Sequence, residues 1–295
     1  MARTAAGGNR RPKLGQNFLT DRSAAGRIVE ALGDVSESTV VEIGPGRGVL
    51  TGLLVGRAKH VIAIELDRVL GAQLRMKYAH HSGIEILEGD VLDIDFESLL
   101  RRPRVAGDAN HPFTGQARVV GNLPYYITSP ILQHLLAFPD LFSTMVILVQ
   151  REVADRIAAK PGGHEYGLLS AMVQLYARIE KLFTLPPDVF SPPPKVHSTV
   201  LRLTIEPQEQ ALGVRGKEFL EFLKLCFGQK RKTVVNNLKL HYPGAEIKAA
   251  LVKAGVKSDA RAEALPLAKA AAVFKALTSS GDRDRKNHDP SLRSG

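Results

Sequence analysis

A regular alternation of strand-like and helix-like segments is the feature that most constrains how this chain can fold. Short runs rich in Val and Ile recur between residues 39 and 150, and helical patterns fill most of the intervals. This order predicts a mostly parallel sheet with helices on its faces, which is an α/β fold. The runs are TVVEI (39–43), VIAIEL (61–66), IEILEG (84–89), ARVVG (117–121) and MVILVQ (145–150).

Other patterns accompany and follow these runs. Residues 101–116 are polar and rich in Gly and Pro, which predicts a long loop. Residues 181–205 have the pattern of two strands joined by a proline-rich connector, so we expect an antiparallel hairpin to finish the sheet. Beyond residue 206, helical segments follow one another without strand signals, which predicts a small all-helical domain.

We therefore divide the chain into four parts. The C-terminal part has almost no apolar residues, and we expect it to be disordered. The parts are a basic N-terminal tail (1–14), an α/β domain (15–206), a helical domain (207–278) and the C-terminal tail (279–295).

The distribution of charge favours a polyanionic partner. The sequence has 40 Lys and Arg against 30 Asp and Glu, a formal net charge of +10. Two basic stretches, residues 1–13 and 222–241, contain no acid at all. Cations grouped in this way suit contacts with nucleic-acid phosphates. The cations of the second stretch are Lys224, Lys230, Arg231, Lys232 and Lys239.

Composition also argues against several classes of protein. The single cysteine, Cys226, excludes an internal disulfide and is typical of a cytoplasmic protein. There is no apolar run of about 18 residues, so we expect no membrane span. The nine histidines are scattered without metal-ligand spacing, and we expect no metal site.

A glycine-rich loop follows the first run of the predicted sheet. The stretch VVEIGPGRGVLT (40–51) has the pattern of a strand, a loop and a helix, and its glycines would let a ligand approach the backbone closely. Counted from Gly44, the spacing is G-x-G-x-G rather than G-x-G-x-x-G, which disfavours NAD. The loop also lacks the Lys-Ser or Lys-Thr pair of a nucleotide P-loop.

Polar side chains stand at the ends of the next three predicted strands. Glu65 lies at the end of the second strand, Asp90 follows the third, and Asn122 follows the fourth. Because consecutive strand ends of a parallel sheet line one crevice, these side chains should face the same ligand as the glycine loop. Glu65 suits a pair of ribose hydroxyls, and Asp90 suits an adenine amine. The ordered set predicts a Rossmann-like domain that binds S-adenosylmethionine.

The stretch NLPY (122–125) suits the methylation of an adenine amine. The exocyclic nitrogen of adenine is a poor nucleophile because its lone pair is delocalised into the ring. The side-chain oxygen of Asn122 and the carbonyl of Leu123 would accept its two N–H bonds and favour a localised lone pair. The ring of Tyr125 offers a surface on which an extruded base can stack.

The chain resembles the KsgA-type small-subunit rRNA adenine dimethyltransferases from residue 15 to its last helical segment. The resemblance implies N6,N6-dimethylation of two adjacent adenines in the loop of the 3′-terminal hairpin of 16S rRNA, within an immature 30S subunit. Nothing in the sequence indicates an obligate protein partner, so we expect a monomer. The segments that carry the resemblance are GQNFL (15–19), EIGPGRGVLT (42–51), IELD (64–67), GD (89–90), NLPYYIT (122–128), VQREVADRI (149–157), FSPPPKVHSTVLRL (190–203) and FGQKRKTVVNNL (227–238).

The resemblance also implies roles for individual residues. Phe190 would cover the target base on the side opposite Tyr125. The chain departs from the family at Tyr126, where asparagine is usual, and for this residue we expect a packing role outside the reaction. RNA would be bound by Lys230, Arg231 and Lys232. The cofactor would be bound by Asn17, Leu19, Gly44, Glu65, Asp90 and Asn122.

Other functions remain open at this point. One is methylation of an adenine of 23S rRNA, as in the related macrolide-resistance enzymes, and another is nucleic-acid binding without catalysis. The stretch FGQKRKTVVNNL (227–238) and the full helical domain favour the small-subunit activity. The intact set of pocket residues argues against a non-catalytic protein. A small-molecule methyltransferase would not need the basic helical domain.

Overall fold

The computed structural model of the chain describes residues 17–101 and 115–287. The basic tail predicted for residues 1–14, most of the loop predicted for 101–116, and residues 288–295 lie outside the described residues. The strands are β1 (Phe18–Leu19), β2 (Thr39–Ile43), β3 (His60–Glu65), β4 (Ile84–Glu88), β5 (Ala117–Asn122), β6 (Phe142–Gln150), β7 (Ala177–Leu185), β8 (Phe190–Ser191) and β9 (Ser198–Ile205).

Helices occupy most of the intervals and the C-terminal part. They are α1 (Arg22–Glu30), α2 (Thr51–Leu54), α3 (Arg68–Lys77), α4 (Phe96–Arg101), α5 (Thr128–Leu135), α6 (Arg151–Ile157), α7 (Leu168–Tyr176), α8 (Glu209–Leu212), α9 (Gly216–Cys226), α10 (Val234–Leu238), α11 (Gly244–Lys253) and α12 (Leu267–Asn287).

The main sheet has the order β4-β3-β2-β5-β6-β9-β7. The strands from β4 to β6 pair in parallel, and β9 is antiparallel to both of its neighbours. Every residue of β2 is buried, as expected for a strand covered on both faces. The α/β fold and the antiparallel hairpin are therefore confirmed, although β6 begins at Phe142, earlier than its pattern indicated.

The order in which strands are added to the sheet changes side between β2 and β5. The chain runs from β2 through β3 to β4 on one side, and then returns to place β5 on the other side of β2. Such a switch point opens a crevice at the carboxyl ends of the strands. Here Ile43 is in register with Gly121, and a Cβ on Gly121 would lie 2.6 Å from the carbonyl oxygen of Ile43. Glycine thus allows the two strands to close the floor of the crevice.

A second, two-stranded sheet was not predicted from the sequence. Strand β1 pairs antiparallel with β8, with Phe18 opposite Ser191 and Leu19 opposite Phe190. Strands of two residues are too short to show a periodic pattern, so only the fold reveals them. The pairing attaches the N-terminal segment to the proline-rich connector beside the crevice.

The region that follows β9 is helical, as predicted. The rings of Phe219, Phe222 and Phe274 pack together at its centre, with centroids 5.4–6.3 Å apart. Helix α12 continues to Asn287, beyond residue 279 where the C-terminal tail was expected to begin. A helix that is already nucleated gains one hydrogen bond for each added residue, so a polar segment can extend it without burying apolar surface.

Candidate active site

A cavity of about 1070 Å³, counted with its open mouth, lies at the carboxyl ends of β2, β3, β4 and β5. This volume is on the scale of small-molecule clefts. The structure brings together in its lining nearly all the residues predicted to bind the cofactor or the target base. These are Asn17, Leu19, Gly44, Glu65, Asp90, Asn122, Leu123 and Tyr125.

The glycine loop presents bare backbone to this cavity. Gly44 and Gly46 both have positive φ angles, 65° and 56°, which favour glycine. A Cβ on Gly46 would lie 2.8 Å from Cδ1 of Phe18, so the N-terminal segment can cross the loop only at a glycine. The cation of Arg47 lies over the ring of Phe18, 4.8 Å from its centroid. The loop and the N-terminal segment therefore form one wall of the cavity.

Glu65 is held in one orientation by two hydrogen bonds to the backbone. Its Oε2 accepts a hydrogen bond from the backbone N–H of Gly46 at 2.9 Å, and its Oε1 accepts one from Asp67 at 2.9 Å. Only 2% of the residue is exposed, and burial raises the pKa of the carboxyl group. A carboxylate oxygen has two lone pairs, so each oxygen can accept a second bond from a ligand hydroxyl. This arrangement suits two neighbouring ribose hydroxyls.

Asp90 lies at the end of β4, on another wall of the cavity. Its Oδ1 accepts a hydrogen bond from the backbone N–H of Leu92 at 3.0 Å, which fixes the direction of the side chain. Its Oδ2 has no hydrogen-bond donor among the described residues and can accept from an exocyclic amine.

Glu42 also lines the cavity, although it was not among the site residues predicted from the sequence. Its Oε2 accepts a hydrogen bond from the Oγ1 of Thr51 at 2.7 Å. Burial raises the pKa of Glu42 to about 7, and the nearby carboxyl of Glu65 acts in the same direction. The signal available in the sequence was an acid inside an apolar strand, directly before the glycine loop. The carboxyl groups of Glu65 and Asp90 line the same cavity, and negative charge there suits a ligand with positive charge.

Asn122 points its amide toward the N-terminal segment. Its Nδ2 donates a hydrogen bond to the main-chain carbonyl of Asn17 at 2.9 Å, and the backbone N–H of Leu123 donates to Leu148 at 3.0 Å. In the described ranges, neither the Oδ1 of Asn122 nor the carbonyl of Leu123 accepts a hydrogen bond. Two acceptors with free lone pairs therefore stand next to each other on the cavity wall.

Tyr125 is held by a residue that was not among the site residues predicted from the sequence. Its hydroxyl lies 2.7 Å from the Oγ of Ser198, a fully buried residue at the start of β9. Burial raises the pKa of Tyr125. Ser198 belongs to the stretch FSPPPKVHSTVLRL, which was one of the segments that carried the resemblance. Its bond to Tyr125 links two of those segments and fixes the tilt of the ring.

The expectation for Tyr126 is wrong. The residue lines the cavity, but 64% of it is exposed, so it has no packing role. Tyr126 follows the rigid Pro124 turn at the carboxyl end of β5, where the chain leaves the sheet before α5 begins, and this position directs its side chain outward.

Phe190 does not line the cavity. Only 3% of it is exposed, and it belongs to a buried cluster with Leu19, Leu185 and Val200. Its pairing with Leu19 places it in the core beneath the N-terminal segment, because an apolar ring gains more from burial there than at the open mouth. Phe190 therefore packs in the core of this structure, away from the lining of the cavity.

The basic residues Lys230, Arg231 and Lys232 lie outside the cavity, in an exposed turn between α9 and α10. None of them forms an ion pair with an acid in the part of the chain that the structure describes. The buried amide of Asn237 holds the turn, since its Nδ2 donates to the carbonyl of Cys226 at 2.6 Å and to that of Gln229 at 3.3 Å. The three cations therefore lie on a turn that is held in place, and their charges are not neutralised by an acid among the described residues.

The site as a whole fits an adenosine-type ligand that carries a positive charge. The exposed backbone of the glycine loop admits close approach, the carboxylates supply acceptors and negative charge, and Leu66 and Val91 add apolar walls. Within residues 17–101 and 115–287, no cluster of His, Cys, Asp or Glu could hold a metal ion. No described helix is long and apolar enough to cross a membrane.

Comparison with known proteins agrees with this geometry. The sequence profile described as ribosomal RNA adenine dimethylase matches residues 7–279. A ribosomal RNA small subunit methyltransferase A from Koribacter versatilis is 54% identical over 282 residues, which cover 94% of this chain and 99% of that protein. A protein of the same name from Acidobacterium capsulatum is 50% identical over 274 residues, which cover 92% and 93% of the two chains.

Two solved structures resemble the fold over almost its whole length. The dimethyladenosine transferase from Plasmodium falciparum aligns with a TM-score of 0.72 at 25% identity and covers 90% of this chain and 98% of that chain. The 23S rRNA methyltransferase ErmE aligns with a TM-score of 0.63 at 29% identity and covers 89% of this chain and 100% of that chain.

Proposed function

The chain belongs to the ribosomal RNA adenine dimethylase family, and we propose that it dimethylates N6 of two adjacent adenines in 16S rRNA. It is an S-adenosylmethionine-dependent enzyme. The observation that carries the assignment of the reacting centre is the pair of free acceptors, Asn122 Oδ1 and the carbonyl of Leu123, beside the ring of Tyr125.

The cofactor is held by the walls of the cavity described above. Glu65 would accept from the ribose hydroxyls, Asp90 from the adenine amine, and the Gly44 backbone would lie against the ligand. Asn17 and Leu19 would close the cavity from the N-terminal segment. When bound, S-adenosylmethionine supplies a methyl group on a sulfonium, so the protein needs neither a metal nor a strong nucleophile.

In the first transfer the target amine is activated by hydrogen bonds to its two N–H groups, and in the second transfer the monomethylated amine keeps one of these bonds. The Oδ1 of Asn122 and the carbonyl of Leu123 accept them, which draws the nitrogen lone pair out of the ring and toward the methyl group. The sulfonium of S-adenosylmethionine would supply the methyl group and keep the electrons of the broken bond, and the proton displaced from the nitrogen would pass to water at the open mouth of the cavity. Both acceptors are fixed by the protein before the substrate arrives, because Asn122 donates to Asn17 and Leu123 donates to Leu148.

The base reaches this position by leaving its stack. Stacking on the ring of Tyr125 compensates part of the free energy of unstacking, and the hydroxyl bond to Ser198 keeps the ring in place. Phe190 would have to leave the core to cover the other face of the base, so we assign it a supporting role for Leu19.

The helical domain, residues 207–278, would recognise the RNA around the target. The turn of Lys230, Arg231 and Lys232 offers three free cations for phosphates. We propose that the substrate is the loop of the 3′-terminal hairpin of 16S rRNA within an immature 30S subunit, and that the enzyme acts as a cytoplasmic monomer.

Methylation of 23S rRNA is the alternative, because ErmE shares the fold at 29% identity. The small-subunit relatives are more similar, at 54% and 50% identity over nearly the whole chain. The deciding experiment is incubation with labelled S-adenosylmethionine and purified 30S or 50S particles that lack the modification. We expect label on the two adjacent adenines of 16S rRNA. Label in 50S particles alone would show that the substrate is wrong.

A further inference from the structure

Tyr126 is an exposed aromatic residue at the mouth of the cavity, directly next to the ring assigned to the target base. It lines the cavity, 64% of it is exposed, and its hydroxyl has no hydrogen-bond partner among the described residues. Neither packing nor hydrogen bonding within the protein accounts for its position. An aromatic ring in water beside a binding cavity is a surface that gains free energy when a flat apolar partner covers it.

The backbone that carries Tyr126 is fixed before any substrate binds. The carbonyl of Pro124 accepts hydrogen bonds from the N–H of Ile127 at 3.2 Å and from the Oγ1 of Thr128 at 3.1 Å. These bonds close the turn around Tyr125 and Tyr126, so the two neighbouring tyrosines leave a rigid turn rather than a free loop. Because the backbone is already ordered, only the two side-chain torsions of Tyr126 have to be ordered on binding.

The proposed substrate supplies a partner for this surface. Its two target adenines are adjacent, so a single phosphate joins their riboses. When one adenine is extruded onto Tyr125, the other must remain at the mouth of the cavity, where Tyr126 lies. We propose that Tyr126 forms a second base-stacking subsite, which holds the adenine next to the one being methylated; this inference rests on the proposed function.

Stacking explains how such a subsite can serve both halves of the reaction. While the first adenine is being methylated, the adenine at the mouth is still unmodified. While the second adenine is being methylated, the adenine at the mouth is the one that has already been dimethylated. A subsite that recognised the N–H groups of adenine would reject the methylated base. The face of the base remains available after N6 has gained its methyl groups, so Tyr126 accepts either form.

The test is a double-mutant cycle between the ring and the base. Unmethylated 30S particles are prepared with the natural pair of adenines and with one adenine replaced by uracil, in each of the two positions. Particle affinity and methylation of the remaining adenine are measured for wild type, Tyr126→Ala and Tyr126→Phe. Met76→Ala is the matched control, because Met76 is also a large exposed side chain, 80% exposed, on α3 outside the cavity.

We expect Tyr126→Ala to weaken binding of natural particles roughly tenfold, near the value of one stacked base, while Tyr126→Phe and Met76→Ala stay within about twofold of wild type. Replacing the neighbouring adenine by uracil should weaken the binding of particles to the wild-type enzyme, because uracil stacks less strongly than adenine. The same replacement should have little further effect on the affinity of Tyr126→Ala. Affinity for S-adenosylmethionine should not change in any variant.

Effects of Tyr126→Ala and of uracil that simply add would overturn the subsite while leaving the proposed function intact. The same holds if Tyr126→Ala methylates and binds natural particles like wild type. A wild-type enzyme that transfers no methyl group to 30S particles would remove the proposed function, and the subsite with it.

Discussion

The side-chain amide of Asn122 donates a hydrogen bond to the main-chain carbonyl of Asn17, 2.9 Å away, although the two residues lie 105 positions apart in the sequence. The carbonyl is held in place because the next residues, Phe18 and Leu19, pair with Ser191 and Phe190. This bond uses the Nδ2 end of the amide and leaves the Oδ1 end to accept from a substrate. The N-terminal segment therefore decides which end of Asn122 faces the reacting nitrogen.

The first prediction follows from that orientation. Asn122→Asp replaces the donor by a carboxylate oxygen, which repels the carbonyl of Asn17 and turns the side chain away. We expect kcat to fall about 100- to 1000-fold, the usual effect of removing one preorganised electrostatic contact at a reacting centre. Single-turnover methylation of unmodified 30S particles measures this. Asn17→Ala is the control, because it keeps the main-chain carbonyl and should change cofactor affinity rather than the chemical step.

The second prediction concerns the bond between Tyr125 and Ser198. Tyr125→Ala should weaken base binding by about 1–3 kcal/mol, the value of one stacked base. Tyr125→Phe keeps the ring but leaves the buried Oγ of Ser198 without its partner, which should lower the free energy of unfolding by about 1–3 kcal/mol.

A matched variant separates these effects. In Tyr125→Phe combined with Ser198→Ala both partners are apolar, so we expect most of the lost stability to return. If Ser198 acts on the reaction through the position of the ring, the double variant should also recover the activity that Tyr125→Phe loses. Additive losses of stability in the double variant would contradict a direct contact.

The third prediction concerns the cofactor. Glu65→Ala removes the carboxylate oxygens that would accept from the ligand. It also removes the hydrogen bond from the backbone N–H of Gly46 to Oε2 of Glu65. We expect S-adenosylmethionine to bind more weakly by about 1.5–3 kcal/mol, the scale of a hydrogen bond to a charged group. Calorimetry gives the affinity, with Glu97→Ala on α4 as a control for loss of an acid. Unchanged affinity in a folded Glu65→Ala protein would exclude Glu65 from the binding site.

The fourth prediction concerns the exposed turn. Replacing Lys230, Arg231 and Lys232 by Ala should weaken binding to 30S particles and flatten its dependence on salt, because fewer counterions are released. Cofactor affinity should stay the same. The control triple variant changes Lys248, Lys253 and Lys257, which are exposed cations of the same helical domain. Equal salt slopes for the two triple variants would mean that the turn has no special contact with RNA.

The fifth prediction concerns the buried carboxyl of Glu42. Its pKa is raised from 4.5 to about 7, so as the pH rises from 4.5 to 7 the unfolded chain ionises while the folded chain stays neutral. The contribution of Glu42 to stability is therefore complete below pH 4.5, falls between these values, and stays constant above them. Glu42→Gln lacks this titration. Urea unfolding at a series of pH values should show wild type losing stability relative to Glu42→Gln across this window, and parallel curves would contradict the raised pKa.

The sequence by itself determined the elements and the main wall of the site. The strand patterns of β2 to β5 are local, and their order with the helices dictates a parallel sheet. Because the carboxyl ends of parallel strands share one edge, Gly44, Glu65, Asp90 and Asn122 could be placed together without coordinates. The chemistry of the site followed from their residue types.

Only the tertiary structure decided the contacts between distant segments. The pairing of β1 with β8, the bond of Tyr125 to Ser198, the burial of Phe190 and the exposure of Tyr126 have no local pattern that predicts them. The first three depend on how the proline connector and the N-terminal segment meet beside the crevice, and the exposure of Tyr126 depends on the turn at Pro124. A hydrophobic or aromatic residue type is compatible with a core, a wall or a mouth, and the packing of the folded chain selects which one it occupies.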